Sequence, residues 1–82
     1  MTGRPQKHSL TLNGHRTSVS LEAAFWAEFR AIADRRGTAL NVLAAAIDET
    51  RAADVGLASA IRVFVLAEAK GAAHPAGNGA KS

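Results

Sequence analysis

From Lys7 to Leu21 polar and apolar residues alternate: Lys7, Ser9 and Thr11 against His8, Leu10 and Leu12, then Arg16, Ser18 and Ser20 against Thr17, Val19 and Leu21. A period of two predicts strands with one face on a core and the other on solvent or a partner. Asn13-Gly14 stands between the two runs. Both residue types tolerate the positive φ of a type I′ turn, so the segment reads as a β-hairpin. With a two-residue loop, Leu12 pairs with His15, Leu10 with Thr17 and His8 with Val19. The apolar side chains then gather on one face. Lys7, Ser9, Thr11, Arg16, Ser18 and Ser20 share the other.

The period changes at Glu22. From there to Arg36 the apolar stripe is Phe25, Phe29, Ile32 and Ala33, with Trp26 at its margin, which predicts a helix. Arg35 and Arg36 suit the negative C-terminal end of its dipole, and Gly37 ends it. Thr38 or Ala39 opens a second helix that turns Leu40, Leu43, Ala44 and Ile47 inward and runs to about Arg51. Thr38 is the better N-cap by chemistry, because its hydroxyl can accept an early backbone amide. Asp54-Val55-Gly56 interrupts the pattern, and Leu57 to Ala69 forms a third helical candidate. Val63-Phe64-Val65-Leu66 within it is also β-prone, while the length and the flanking alanines favour a helix. Residues 1 to 6 read as a flexible arm, residues 7 to 70 as one folded domain, and residues 71 to 82 as a disordered tail. No internal repeat is read.

The expected fold is therefore mainly α with a short N-terminal β segment. Composition adds an expectation about assembly. Of the 39 apolar residues 19 are alanine, and Phe25, Trp26, Phe29 and Phe64 are the only aromatics among all 82 residues. A chain of this size hides only about 60% of its unfolded surface. It has no cysteine, so neither a disulfide nor thiolate–zinc ligation can stiffen it. A homodimer, or a higher homo-oligomer with a shared core, is the expected remedy.

The net charge of +3 is concentrated near the start, where residues 1 to 21 carry Arg4, Lys7 and Arg16 and no acid. Local positive charge favours a polyanion such as nucleic acid. No apolar run approaches the roughly 20 residues that span a bilayer, and no hydrophobic signal core opens the chain. A cytoplasmic location without membrane contact is expected.

Catalytic constellations are missing. The sequence has no cysteine, no tyrosine, no glycine-rich phosphate loop and no nucleophile-elbow serine. His8 and His15 lie about 13 Å apart along the hairpin, too far to share a metal within one subunit. The carboxylates fit a solvated helical face. The expectation is a non-enzyme with no cofactor and no metal site.

The strand Arg16 to Leu21, the immediate helix, the Gly37 turn and the helix starting near Leu40-Asn41 together resemble the ribbon-helix-helix family of dimeric DNA-binding proteins. HRTSVSLE and FW within His15–Trp26, with RVFVL at Arg62–Leu66, resemble the small bacterial proteins of that family. The resemblance implies two chains that pair their strands about a twofold axis, helices that bury the inner face, and an antiparallel ribbon placed in the major groove. It implies base-edge contacts by Arg16, Ser18 and Ser20, with Arg16 able to bond guanine bidentately. It further implies phosphate contacts by Thr38 and Asn41 at the second helix, aided by Arg4 and Lys7. Such a protein would act as a transcriptional regulator.

The hairpin adds a geometric conflict. A major groove is about 12 Å wide, whereas a hairpin from each subunit makes four strands whose outer axes lie about 14 Å apart. Either Lys7 to Leu12 leaves the ribbon on DNA, or the sheet meets something else. The alternative function is a protein–protein interaction module, antitoxin-like or an adaptor, that has a protein partner and no specific DNA binding.

Overall fold

Asn13 has a φ of 52° and Gly14 one of 84°, the left-handed pair of a type I′ turn. The chain reverses there into a two-stranded antiparallel sheet. The computed structural model describes residues 3–73, which form β1 (Gln6–Leu12), β2 (His15–Leu21), α1 (Ala23–Arg36), α2 (Leu40–Thr50) and α3 (Leu57–Ala73). Leu12 pairs with His15, Leu10 with Thr17 and His8 with Val19, the register set by the Asn-Gly loop. This is the hairpin, helix pair and additional C-terminal helix expected of the sequence.

Leu10, Leu12, Val19 and Leu21 point from the sheet into a core completed by Phe29, Ile32 and Ala33 of α1, Leu43 to Ala45 and Ile47 of α2, and Ile61 and Val65 of α3. Phe29, Leu21, Ile32 and Ile61 are the largest fully buried side chains, and no polar or charged side chain among the described residues is buried. Each element thus buries the stripe its period dictates. Phe29 touches Phe64 edge to face with ring centroids 6.3 Å apart, an arrangement that places the positive ring edge on the negative face.

Gly37 ends α1 in the left-handed region, at φ 63° and ψ 31°. Its N–H reaches the Asp34 carbonyl at 3.1 Å and that of Thr38 reaches Ala33 at 3.0 Å. These two bonds form a Schellman cap, which satisfies carbonyls the helix leaves open. Thr38 is not the N-cap of α2. Ala39 holds that position without a side-chain bond, because the Thr38 hydroxyl is turned back onto the Arg36 carbonyl at 3.3 Å.

The β-prone stretch Val63 to Leu66 is helical. Only Val65 of the four is buried, while Val63 and Leu66 are exposed at 66% and 57%, the outcome of a 3.6-residue period through a continuous apolar run. The helix also passes Gly71 and ends at Ala73, beyond the expected start of the tail. Residues 74–82 lie outside the described residues. No helix among those described is long and apolar enough to cross a membrane.

Candidate nucleic-acid interface

Side chains of a hairpin alternate between faces, so burying Leu10, Leu12, Val19 and Leu21 forces the intervening residues outward. Lys7, Ser9 and Thr11 of β1 and Arg16, Ser18 and Ser20 of β2 are all exposed on this outer face. Two cations and four hydroxyls make it up, with no carboxylate. Lys7 lies beside Ser20, Ser9 beside Ser18 and Thr11 beside Arg16. The cations therefore occupy opposite corners, each next to a hydroxyl.

The two edges of the sheet are held from outside. A two-residue loop makes Leu12 and His15 a hydrogen-bonded pair, and such pairs alternate along an antiparallel ladder. The backbone groups of Lys7, Ser9 and Thr11 on one strand, and of Arg16, Ser18 and Ser20 on the other, consequently point away from the hairpin. On the β1 edge the Thr11 N–H donates to Asn41 Oδ1 at 3.1 Å. On the β2 edge Arg62 Nη2 donates to the Ser20 carbonyl at 3.4 Å.

Arg62 also binds Glu22, with Nε donating to Oε1 at 3.0 Å. That hydrogen bond, followed by one to the Glu22 backbone and by the charge of Arg62, holds the carboxyl below its ordinary range. Glu22 is the residue that precedes α1 and makes no side-chain cap of its own. The pair therefore pins the β2–α1 junction to α3.

His8, the inward polar residue of β1, stacks on Trp26 with centroids 3.9 Å apart and planes 5° from parallel. Its Nε2 is buried without a hydrogen-bond partner. His8 thus serves as a flat packing surface at the open end of the hairpin, and His15 is exposed at the other end. The described residues contain no cluster of three or more residues suited to holding a metal.

The residues expected to hold phosphate are placed unevenly. Arg4 and Lys7 are exposed, Arg4 just before β1 and Lys7 within it. Thr38 is half-buried with its hydroxyl engaged by Arg36, and Asn41 is exposed but uses its carbonyl oxygen on β1. What remains at the start of α2 is a set of first-turn amides without a side-chain cap, the positive end of a helix dipole. Arg30 of α1 lines the depression there, together with Asp34, Thr38, Ala39 and Leu40. Arg30 is not among the residues singled out from the sequence, since periodicity does not show where α1 and α2 meet.

β2 runs directly into an α1–α2 pair joined through a left-handed glycine, the strand–helix–helix order of the ribbon-helix-helix class of fold, here with β1 and α3 in addition. The chain belongs to that family: the model of the ribbon-helix-helix domain matches residues 5–69, from the residue before β1 well into α3. Proteins of this family generally dimerise and bind DNA, and they are typically not enzymes. No curated protein and no solved structure gave a match.

Proposed function

We propose that this chain is a sequence-specific DNA-binding protein that acts as a homodimeric transcriptional regulator, with the outer face of its hairpin in the major groove. The observation that carries this reading is the six-residue exposed face of Lys7, Ser9, Thr11, Arg16, Ser18 and Ser20. It is supplied by the segment that also holds the chain's excess positive charge. Arg16 is the leading base reader, because its guanidinium can donate two bonds to guanine O6 and N7. Ser18 and Ser20 bond either partner of a base pair and add register more than selectivity. Arg4, Lys7, the α2 amides beside Thr38, and Asn41 Nδ2 would hold phosphates, which fixes orientation without reading sequence.

Arg16→Ala should remove preference for a selected site while the protein stays folded, read by fluorescence anisotropy against selected and scrambled duplexes. Equal affinities of wild type and variant for the selected duplex would refute the role of Arg16. Phosphate contacts predict that log K falls linearly with log salt, at a slope of about 0.9 per contact.

One observation supports the interaction-module reading. Ile47, Val55, Ala60, Val63 and Phe64 line an apolar hollow of about 360 Å³ between α2 and α3. An apolar hollow of this kind suits a partner side chain. Lack of affinity for mixed-sequence DNA at low salt would make this reading the leader.

A further inference from the structure

Asn13 and Gly14 form the tip of the hairpin, and both are exposed. Asn13 is the one non-glycine residue with a positive φ among those described. The ladder begins at the Leu12–His15 pair, which leaves the amides of a two-residue loop outside it. The Gly14 N–H accordingly has no hydrogen-bond partner among the described residues. A Cβ built on Gly14 would meet nothing within 4 Å. This backbone nitrogen is thus neither bonded nor shielded.

The carboxamide beside it is tied to α2. Asn13 Nδ2 donates to Glu49 Oε2 at 3.2 Å, a second link from that helix to the hairpin after the bond between Asn41 and Thr11. Asn41 itself is followed by Val42 within a helix, where a branched side chain crowds the next nitrogen. Asn-Gly recurs at Asn78-Gly79, outside the described residues.

We propose that Asn13-Gly14 is a site of spontaneous covalent modification in the folded protein, and that the product detaches the hairpin tip from α2. The Gly14 nitrogen gives its proton to solvent and attacks Asn13 Cγ, closing a succinimide ring as the Cγ–Nδ2 bond breaks and Nδ2 leaves as ammonia. Glycine favours this step, because no side chain obstructs the approach and its backbone turns freely. Water then opens the ring. Opening at Cγ leaves aspartate, whereas opening at the backbone carbonyl leaves isoaspartate, whose main chain runs through Cβ and Cγ. Water is the only co-reactant, and nothing is oxidised or reduced. Either product puts a carboxylate where Nδ2 had donated to Glu49 Oε2. Like charges so close repel, so the link to α2 becomes a repulsion. Isoaspartate also lengthens a loop whose two-residue size sets the register of the strands. Arg16 stands in the second ladder row from the turn. In a clause that rests on the DNA-binding reading above, the new negative charge beside that row weakens attraction for phosphate.

The test incubates the full chain, folded and at mildly alkaline pH, as the Asn78→Ser variant, which keeps Asn13-Gly14 as its only Asn-Gly step. Cation exchange should resolve a growing species with one less positive charge, and peptide mapping by mass should place aspartate or isoaspartate at residue 13. Asn13→Gly in the same background suits the same turn and should form none. If residue 13 keeps its amide in the folded chain and loses it only in urea, the turn protects the site and the proposal fails. Urea unfolding reads the second step. Asn13→Asp should unfold at lower urea than Asn13→Gly, and the gap should shrink when Glu49→Gln is added to both. A gap that Glu49→Gln leaves unchanged would overturn the detachment of the tip from α2. In anisotropy titrations the modified fraction should bind DNA several-fold more weakly than the unmodified one. If the unmodified chain binds no duplex even at low salt, the DNA-binding reading fails while the modification, read by mass, stands.

Discussion

Asn41 Oδ1 accepts the backbone N–H of Thr11 at 3.1 Å, a bond that joins α2 to the outer edge of β1 across 30 residues of chain. A residue expected to hold a phosphate through the start of α2 thus also holds the hairpin. Asn41→Ala should cost about 0.5–1.5 kcal/mol, the usual net worth of a hydrogen bond, with the exposure of this one favouring the lower part of that range. Asn41→Asp keeps the acceptor and should keep most of the stability. Urea unfolding of the two variants distinguishes them. If Ala and Asp are equally destabilising, the bond to Thr11 is not what the side chain contributes.

Ile61 is fully buried on α3, which makes that helix part of the core. Ile61→Ala should destabilise the fold by about 2–5 kcal/mol, since the lost transfer energy and the cavity left behind add. For a domain with a total stability of about 5–15 kcal/mol that is a large fraction. A thermal melt within a degree or two of wild type would show α3 to be an appendage.

Acid should weaken the β2–α1 junction. Glu22 is held ionised by the Arg62 hydrogen bond, so its folded pKa lies below its unfolded one. A group lowered in this way contributes stability that is complete above the unfolded pKa and is lost as pH falls through the folded pKa. Melting temperatures measured between about pH 6 and 3 should fall less steeply for Glu22→Gln than for wild type. Parallel pH profiles would show that the pair does not couple protonation to folding.

At Gly37 the cost of a side chain is conformational. A Cβ there would meet nothing within 4 Å, but the residue sits at φ 63°. Gly37→Ala should cost about 1 kcal/mol and Gly37→Asn less, because asparagine visits the left-handed region more readily. Equal losses for both in chemical denaturation would point to a cause other than the backbone.

The hairpin was legible in the sequence because two independent signals, alternation and Asn13-Gly14, require the same register. The helix boundaries were legible to within a few residues for a similar reason, Gly37 closing one apolar stripe before Leu40 begins the next. Val63 to Leu66 could not be assigned by composition, since an apolar run satisfies either period; the contacts of Ile61 and Val65 with the core decide it. Asn41 and Arg62 were illegible as edge supports, because their partners lie 30 and 42 residues away in the chain. Thr38 misled for a local reason. Cap chemistry favours threonine, but the Schellman turn points its hydroxyl back at Arg36.

Arg62 reaches both the Glu22 carboxylate and the Ser20 carbonyl, so one side chain of α3 fixes the last residues of β2 and the residue that opens α1 together. A substitution that displaces α3 therefore also displaces the point at which the chain changes from strand to helix.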